Sequence, residues 1–482
     1  MPQPTDTPAW AESTLADVDL ASAAAAAAAD AFASTPASAR AALLRALADA
    51  LDHHRERLVA LADRETSLGL ARLNGELDRT AFQLRGFADV LLRDDVRILA
   101  DDAAVAGAPP AGRPRLTRVR VPVGPVAMFS ASNFPFAFSV LGGDTASALA
   151  AGCPVVVKGH PAHPELSHQT AALARAVVAE RGLPAGVFQF VQGSSTALGV
   201  HLVQAPAIAA VAFTGSFKGG TALARVAFER PHPIPFYGEL GSVNPLVVLP
   251  AALGPNSAAL AQVLAGSICQ GAGQFCTSPG VIVVHNDASG DAFVQALATQ
   301  LCSLSPHAML SPAIRGNFDG GVARWRADGQ LTALVDDVAA PDAGPRPFLA
   351  EVQAADFIQD QALHDEVFGP AALVVRVTSV DQAIEVLRAV GGSLTVTLWG
   401  ADAETPETRR LVLAATQIAG RVLFSGVPTG VAVTAAQHHG GPYPASTQPF
   451  TTSVGYAALD RFLRPVALQD APQWAVSAQA AR

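Results

Sequence analysis

Short runs of β-branched residues alternate with helical stretches in the first half of the chain, and this alternation constrains the fold most. Residues 121–129, 154–158 and 187–191 have the composition of buried strands. Residues 135–151 and 168–181 lie between them and predict helices. A βαβα order of this kind predicts a doubly wound parallel sheet, and therefore an α/β fold.

The chain has 482 residues, which is too long for one ordinary core, so we expect two or three domains. A second α/β segment extends from about residue 241 to residue 430. Residues 100–115 and the last fifty residues are rich in Gly and Pro, which predicts a ribbon and an irregular arm.

The charge and cysteine content exclude several classes of protein. A net charge of −9 argues against a nucleic-acid or anionic-membrane surface. No apolar run approaches the roughly 18–20 residues of a membrane span, and the N-terminus lacks the basic region of a signal peptide. Four cysteines without tight spacing predict no disulfide framework and no metal site, which suggests the cytoplasm: Cys153, Cys269, Cys276 and Cys302.

Cys276 lies in a run of small and polar residues from position 270 to 279. Glycines in this run let backbone amides approach a bound molecule closely. A cysteine nucleophile needs access, a lowered pKa and a nearby general base. Because a free cysteine is often a buried structural residue, the run alone leaves both interpretations open.

Six short motifs occur in an order that resembles the aldehyde dehydrogenase superfamily over nearly the whole chain. They are Ser132-Asn133-Phe134-Pro135, Val156-Val157-Lys158, Phe213-Thr214-Gly215-Ser216, Gly238-Glu239-Leu240-Gly241, Gly273-Gln274-Phe275-Cys276 and Glu366-Val367-Phe368-Gly369-Pro370. The resemblance implies oxidation of an aldehyde to a carboxylic acid through a thioester on cysteine. It also implies a Rossmann-type cofactor domain, an α/β catalytic domain and a small bridging element.

The resemblance implies a catalytic set of three side chains. Cys276 matches the nucleophile, and Asn133 matches the asparagine whose amide, with the Cys276 N–H, stabilises an oxyanion. Glu239 matches the base that activates water for thioester hydrolysis. Taken alone, Asn133 would suit a turn and Glu239 a solvated or salt-bridged carboxylate. Together, and in family order, the three are interpreted as catalytic.

The resemblance further implies a nicotinamide cofactor. Small residues after the strand at 209–213 would let a pyrophosphate lie on a helix N-terminus. Lys158 is expected at the adenosine ribose, and Glu366 at the nicotinamide ribose. The remaining candidate contacts are Gly215, Ser216, Lys218, Gly220 and Phe368.

One position bears on the choice between NADP and NAD. NAD-preferring relatives carry a glutamate three residues after the position of Lys158, and here that residue is Pro161. The repulsion of a 2′-phosphate is therefore absent, and His160 adds a donor. No arginine occurs near residues 194–198, where NADP-specific relatives place one. We expect NADP to be used at least as well as NAD.

The motifs Gly426-Val427-Pro428-Thr429-Gly430 and Gly441-Pro442-Tyr443-Pro444 resemble one branch of the superfamily. That branch holds bacterial 2,5-dioxovalerate (α-ketoglutarate semialdehyde) dehydrogenases and NADP-dependent fatty-aldehyde dehydrogenases. The first substrate is therefore predicted, with medium- or long-chain aliphatic aldehydes as the alternative.

Five residues are candidates for substrate contacts. Phe134, Phe138 and Leu141 have i, i+4, i+7 spacing on a predicted helix, which indicates either the family's aldehyde tunnel or a plain core stripe. Arg85 is the candidate for binding a substrate carboxylate. Phe450 is expected at the tunnel mouth, where it would favour an apolar guest.

The family order also divides the chain. Residues 1–99 and 123–240 are assigned to the cofactor-binding domain, and residues 241–435 to the catalytic domain. Residues 100–122 and 436–482 are assigned to an oligomerisation element and a C-terminal arm, which predicts a homodimer or homotetramer.

Two other classes of function are retained as alternatives. A thiol hydrolase or acyltransferase would use Cys276 without a nucleotide, but it would need a histidine partner, and none of the twelve histidines lies in a recognisable partner motif. A binding protein without turnover is disfavoured by the complete set of Asn133, Glu239 and Cys276.

Overall fold

The computed structural model describes residues 11–93, 96–337 and 344–480. Four helices form the N-terminal part, and Thr14 caps the first of them through a reciprocal pair of hydrogen bonds with Asp17. The elements up to residue 122 are α1 (Leu15–Ala33), α2 (Ala37–His53), α3 (Arg55–Thr66), α4 (Leu70–Leu91), β1 (Ile98–Asp102) and β2 (Leu116–Pro122).

A five-stranded parallel sheet follows, in the order β5-β4-β3-β6-β7. Its strands are β3 (Val126–Phe129), β4 (Val155–Gly159), β5 (Phe188–Gln192), β6 (Ala210–Thr214) and β7 (Phe236–Glu239). The helices that connect or follow them are α5 (Gly143–Ala151), α6 (Pro164–Glu180), α7 (Thr196–Gln204) and α8 (Phe217–Phe228). The strand order reverses between β3 and β6, which confirms the predicted doubly wound sheet. Ligands bind at the carboxyl ends of strands at such a point.

Two predicted elements differ from the structure. The strand expected at 121–129 is divided into β2 and β3, because Pro122, Pro125 and a left-handed Gly124 (φ 119°) interrupt the ladder. The helix expected at 135–151 begins only at residue 143. Ahead of it, the Glu76 carboxylate accepts the N–H groups of Phe136 and Ala137, so this stretch forms turns instead.

The second sheet has seven strands in the order β10-β11-β12-β9-β8-β13-β14, and only the edge strand β10 is antiparallel. The strands are β8 (Leu246–Val248), β9 (Val281–His285), β10 (Thr332–Asp336), β11 (Phe348–Gln353), β12 (Ala371–Val377), β13 (Ser393–Trp399) and β14 (Ala419–Leu423). The accompanying helices are α9 (Ser257–Cys269), α10 (Ala288–Cys302), α11 (Pro312–Ala327), α12 (Ala354–Gln359), α13 (Val380–Val390) and α14 (Pro406–Ile418). Apolar clusters cover both faces of this sheet, as parallel sheets require.

A third, antiparallel sheet has the order β1-β2-β15, where β15 is Leu463–Gln469 and is followed by α15 (Gln473–Ala480). Val119 pairs with Val466 at its centre. The ribbon and the C-terminal arm, which are far apart in sequence, therefore form one element.

Candidate active site

The candidate residues of the first domain lie at the carboxyl ends of its parallel strands. Lys158 is the fourth residue of β4, and Glu239 is the last residue of β7. Gly215 and Ser216 directly follow β6. Because these strands are parallel, their carboxyl ends meet along one edge, where a nucleotide can bind.

Cys276 follows a tight loop at the end of α9. Gly271, Ala272 and Gly273 all have left-handed backbone angles, with φ of 59°, 56° and 69°. Ala272 is strained there because of its Cβ, while a Cβ on Gly273 would collide with the Gly369 backbone. These turns bring Cys276 close to Glu239, at the carboxyl end of the five-stranded sheet.

The Asn244 side chain anchors the loop that carries Cys276. Its side-chain amide donates to the carbonyls of Cys276 (2.8 Å) and Ser278 (3.0 Å), and the residue is buried. Two hydrogen bonds from a buried amide fix the backbone that carries the thiol. Asn244 is therefore a positioning residue that the sequence analysis missed.

Cys276, Glu239 and His439 converge in the centre of the molecule. Cys276 Sγ lies 3.5 Å from His439 Nε2, which lies 3.0 Å from Glu239 Oε1. Ser453 donates to the other oxygen of Glu239. The expectation that no histidine partners Cys276 is therefore wrong, because a residue 163 positions away along the chain folds back onto the thiol.

Burial sets the electrostatics of this group. Burial raises the pKa of the Cys276 thiol well above its usual value, and the negative charge of Glu239 raises it further. For Glu239, burial opposes ionisation, but the charge and hydrogen bond of His439 and the Ser453 hydroxyl lower its pKa overall. At neutral pH the site thus holds a thiol beside a carboxylate, and the thiol needs a base to react.

Sulfur, imidazole and carboxylate ligand atoms lie within 4.8 Å of one another here. Such groups also bind zinc, so the absence of a metal stays a prediction. Asn133 lies beside the same loop, since its Nδ2 donates to the Gln274 carbonyl at 3.0 Å. The amide has a second hydrogen that can be donated to an oxyanion.

The turn after β6 has the features of a phosphate site. Ser216 caps α8 and accepts from the Gly219 N–H at 3.2 Å, and Lys218 is exposed beside it. A Cβ on Gly220 would collide with the Leu240 side chain, so glycine allows close packing of helix against strand. The exposed helix N-terminus can bind a pyrophosphate.

The adenosine end of the predicted site contains both signs of charge. Burial lowers the pKa of Lys158 to about 8, an effect that the nearby Glu12 carboxylate opposes. Pro161 is exposed. Burial lowers the pKa of His160 to about 3, and its Nδ1 accepts from the Ala162 N–H. His160 is thus a neutral group there and adds no positive charge.

Glu366 and Phe368 line a narrow cavity on one side of the Cys276 loop. Burial raises the pKa of Glu366 to about 7. Residues Gly273 and Ser278 of the loop face this cavity, while Phe275 and Cys276 face a different one. The loop therefore separates the predicted nicotinamide side from a second cavity.

This second cavity has a volume of about 230 Å³ and contains Cys276 in its wall. Phe134 and Phe138, two of the predicted substrate contacts, line it together with Phe275. The rings of Phe134 and Phe275 meet edge to face, 5.1 Å between centroids. Charged residues of α4, Arg72, Glu76 and Arg79, were not among the predicted substrate contacts, yet they line the same cavity.

Three predicted substrate contacts lie elsewhere. Leu141 is buried in the core of the first domain, because the stretch that carries it is not a helix. Arg85 forms ion pairs with Asp49 and Asp52, both at 2.7 Å, on another face of α4. Phe450 is 95% exposed and does not line the cavity.

All four cysteines are free. Among the described residues, no helix is both long enough and apolar enough to cross a membrane.

Comparisons with known proteins agree with this architecture. Residues 5–441 match the family described as "Aldehyde dehydrogenase family". The chain is 43% identical to alpha-ketoglutaric semialdehyde dehydrogenase 2 of Azospirillum brasilense, over 98% of this chain and 90% of the relative. It is 38% identical to alpha-ketoglutaric semialdehyde dehydrogenase of Acinetobacter baylyi, over 96% and 88%.

The fold is similar to that of solved structures. A putative aldehyde dehydrogenase from Burkholderia cenocepacia superimposes with a TM-score of 0.79 at 24% identity, covering 95% of this chain and 90% of the other. At that identity the likeness concerns the fold.

Proposed function

This chain belongs to the aldehyde dehydrogenase family, and we propose that it oxidises 2,5-dioxovalerate to 2-oxoglutarate with NADP or NAD. The contact of Cys276 with His439 and Glu239 at a cavity wall carries the proposal of covalent aldehyde oxidation. Two relatives named for α-ketoglutaric semialdehyde, each similar over nearly the full chain, support the substrate.

The first step is attack of Cys276 on the aldehyde carbon. As the S–C bond forms, the ionised Glu239 carboxylate takes the thiol proton, which it later releases to solvent, and the carbonyl oxygen becomes an oxyanion. The Asn133 amide and the Cys276 backbone N–H stabilise that oxyanion. A bound nicotinamide cofactor would supply the hydride acceptor, and loss of hydride from the substrate carbon would leave a thioester on Cys276.

The second half-reaction hydrolyses the thioester. Glu239 is ionised and held by His439 and Ser453, so it can take a proton from an attacking water. The C–S bond then breaks, and the acid leaves while the sulfur regains a proton. The cofactor residues proposed are Lys158 and Ser216 for the nucleotide, with Glu366 at the nicotinamide ribose.

We propose use of both nucleotides. Pro161 removes the carboxylate that repels a 2′-phosphate, and the neutral His160 supplies a donor. The negative charge of Glu12 acts on Lys158 and so works against binding of the NADP 2′-phosphate. Because these effects oppose each other, we expect both NADP and NAD to be used.

A cytoplasmic location is also proposed, since the four free cysteines fit a reducing compartment.

The alternative substrate, a medium- or long-chain aliphatic aldehyde, is supported by the three phenylalanine rings of the cavity. A comparison of kcat/KM for 2,5-dioxovalerate, succinic semialdehyde and decanal with each nucleotide decides between them. The proposal fails if decanal is preferred by a wide margin. Activity without any nucleotide would instead support a thiol hydrolase, which the Cys276–His439 contact makes a chemical alternative.

Association through the sheet β1-β2-β15 is proposed for a homodimer or homotetramer. Leu99 on β1 and Trp474 beside the sheet expose apolar area in the single chain. Solution scattering at micromolar concentration tests this, and a monodisperse monomer would refute it.

A further inference from the structure

Arg72, Glu76 and Arg79 are spaced at i, i+4 and i+7 on α4, so they lie on one face of the helix. All three line the cavity that contains Cys276 in its wall. Arg85, six residues beyond Arg79, lies on a different face and pairs with Asp49 and Asp52. The helix thus directs two of its arginines to the cavity and a third away from it.

Both cavity arginines are held in place yet incompletely bonded. Arg79 Nη1 donates to the Val431 carbonyl, while its Nε and Nη2 are buried and have no hydrogen-bond partner among the described residues. Arg72 Nη2 donates to the Asn133 carbonyl at 2.6 Å, and its Nη1 is likewise buried and unpartnered in the described part of the chain. Three donor nitrogens are therefore free to bind an acceptor.

Aromatic rings fix the orientation of Arg72. Its guanidinium lies 5.1 Å from the Phe134 centroid and 4.8 Å from the Phe275 centroid. Cation–π contacts of this kind limit how far the side chain can turn. The same rings provide an apolar wall for methylene groups.

The charges in this wall do not balance. Among the described residues that line the cavity, Glu76 is the only acid. Its Oε1 accepts hydrogen bonds from the Phe136 and Ala137 N–H groups, and its Oε2 is buried without a partner in that part of the chain. Burial raises the pKa of Glu76 to about 7, although the two arginines oppose this. Glu76 thus offers at most one negative charge against two positive ones, and the charge of Glu239, which also acts on Arg79, is already bound by His439 and Ser453. Buried cations are unfavourable without an anion, so the cavity favours a negatively charged occupant.

Resting on the proposed function, we propose that Arg79, assisted by Arg72, binds the carboxylate of the aldehyde substrate and so sets the preference for ω-oxo acids. A guanidinium can bind a carboxylate through two parallel hydrogen bonds. The phenylalanine rings contact the methylene groups, and the aldehyde end reaches Cys276. Arg72 and Arg79 replace Arg85, which the sequence analysis named for this role.

The test compares Arg79→Gln with wild type on 2,5-dioxovalerate and on pentanal, which has the same chain length without the carboxylate. We expect kcat/KM for 2,5-dioxovalerate to fall about 100-fold, chiefly through KM, and pentanal to be nearly unaffected. Glutarate should inhibit pentanal oxidation by wild type competitively and lose that effect in the variant. Arg79→Lys should recover part of the preference because it keeps the charge.

Arg85→Gln is the matched control, since it removes an arginine from the same helix outside the cavity, and it should leave the preference unchanged. Equal losses on both aldehydes in Arg79→Gln would assign Arg79 a structural role. An unchanged preference in both Arg79→Gln and Arg72→Gln would overturn the inference while the proposed function stands. A wild type that favours pentanal and ignores glutarate would instead refute the proposed function.

Discussion

His439 Nε2 lies 3.5 Å from Cys276 Sγ, although the two residues belong to distant parts of the chain. The same nitrogen is 3.0 Å from Glu239 Oε1. One imidazole nitrogen therefore connects the group that attacks the aldehyde with the group that hydrolyses the product. Because burial keeps the thiol protonated, Cys276 needs a base beside it, and the imidazole keeps Glu239 ionised for that task.

Replacing the imidazole should slow thiol attack. We expect His439→Gln to lower kcat/KM for aldehyde oxidation by about tenfold or more, because Glu239 loses the imidazole that keeps it ionised beside the thiol. Since the pKa of Cys276 lies above its usual value, the remaining activity should rise with pH as the thiolate forms. His438→Gln, a change of the neighbouring half-buried histidine, is the control. Equal pH–rate profiles for His439→Gln and wild type would contradict the role.

Removing the thiol should abolish oxidation and leave nucleotide binding intact. Cys276→Ala loses the atom that carries the substrate, whereas the predicted cofactor contacts lie on other elements. Steady-state turnover and nucleotide titration measure the two properties separately. Cys269→Ala provides the control, because that thiol has a pKa raised to about 12 by burial and is not in the catalytic group. Turnover of Cys276→Ala within about tenfold of wild type would disprove the assignment.

Neutralising the carboxylate should separate the two half-reactions. In Glu239→Gln both steps lose their base, but the thiol can still lose its proton to solvent, whereas the attacking water is far less acidic. A rapid-mixing experiment should therefore show a burst of reduced cofactor followed by slow turnover. If the burst is missing and an external thiol acceptor restores nothing, Glu239 is needed mainly before thioester formation.

The sequence predicted the strand ends more securely than the cavity. Lys158 and Ser216 end or follow runs predicted as strands, which a parallel sheet brings to one edge. Glu239 was assigned from the family motif alone, because no strand was predicted before it. Phe134 and Phe138 were assigned to the cavity from helical spacing, but the structure forms turns there. Leu141 therefore lies in the core and not in the cavity. Helical spacing predicts a shared face only where the residues form a helix.

The site residues that the sequence did not reveal depend on contacts between distant parts of the chain. His439 follows His438 in a Gly-rich stretch, and no local pattern relates it to Cys276. Arg79 offered a partial signal, since its spacing from Arg72 places both on one face of α4. What the pattern could not supply was which face meets the cavity, because that depends on Glu76 bonding to the backbone before α5.

The final prediction concerns Glu12 and the choice of nucleotide. Its carboxylate accepts hydrogen bonds from the N–H and hydroxyl of Ser194, at 3.0 and 2.8 Å, in the 194–198 segment, which contains no arginine. These bonds lower the pKa of Glu12, so it is charged at neutral pH. Its charge also acts on Lys158, and it should therefore disfavour a 2′-phosphate bound there.

Glu12→Gln should accordingly raise the kcat/KM ratio of NADP to NAD, by about two- to fivefold because the carboxylate is exposed and screened. Pro161→Glu should shift the ratio the other way by adding a carboxylate beside Lys158. Asp19→Asn is the control, since it removes an exposed acid that pairs with His201 instead. If Glu12→Gln and Asp19→Asn change the ratio equally, the effect reflects overall charge, and Glu12 has no specific part in nucleotide selection.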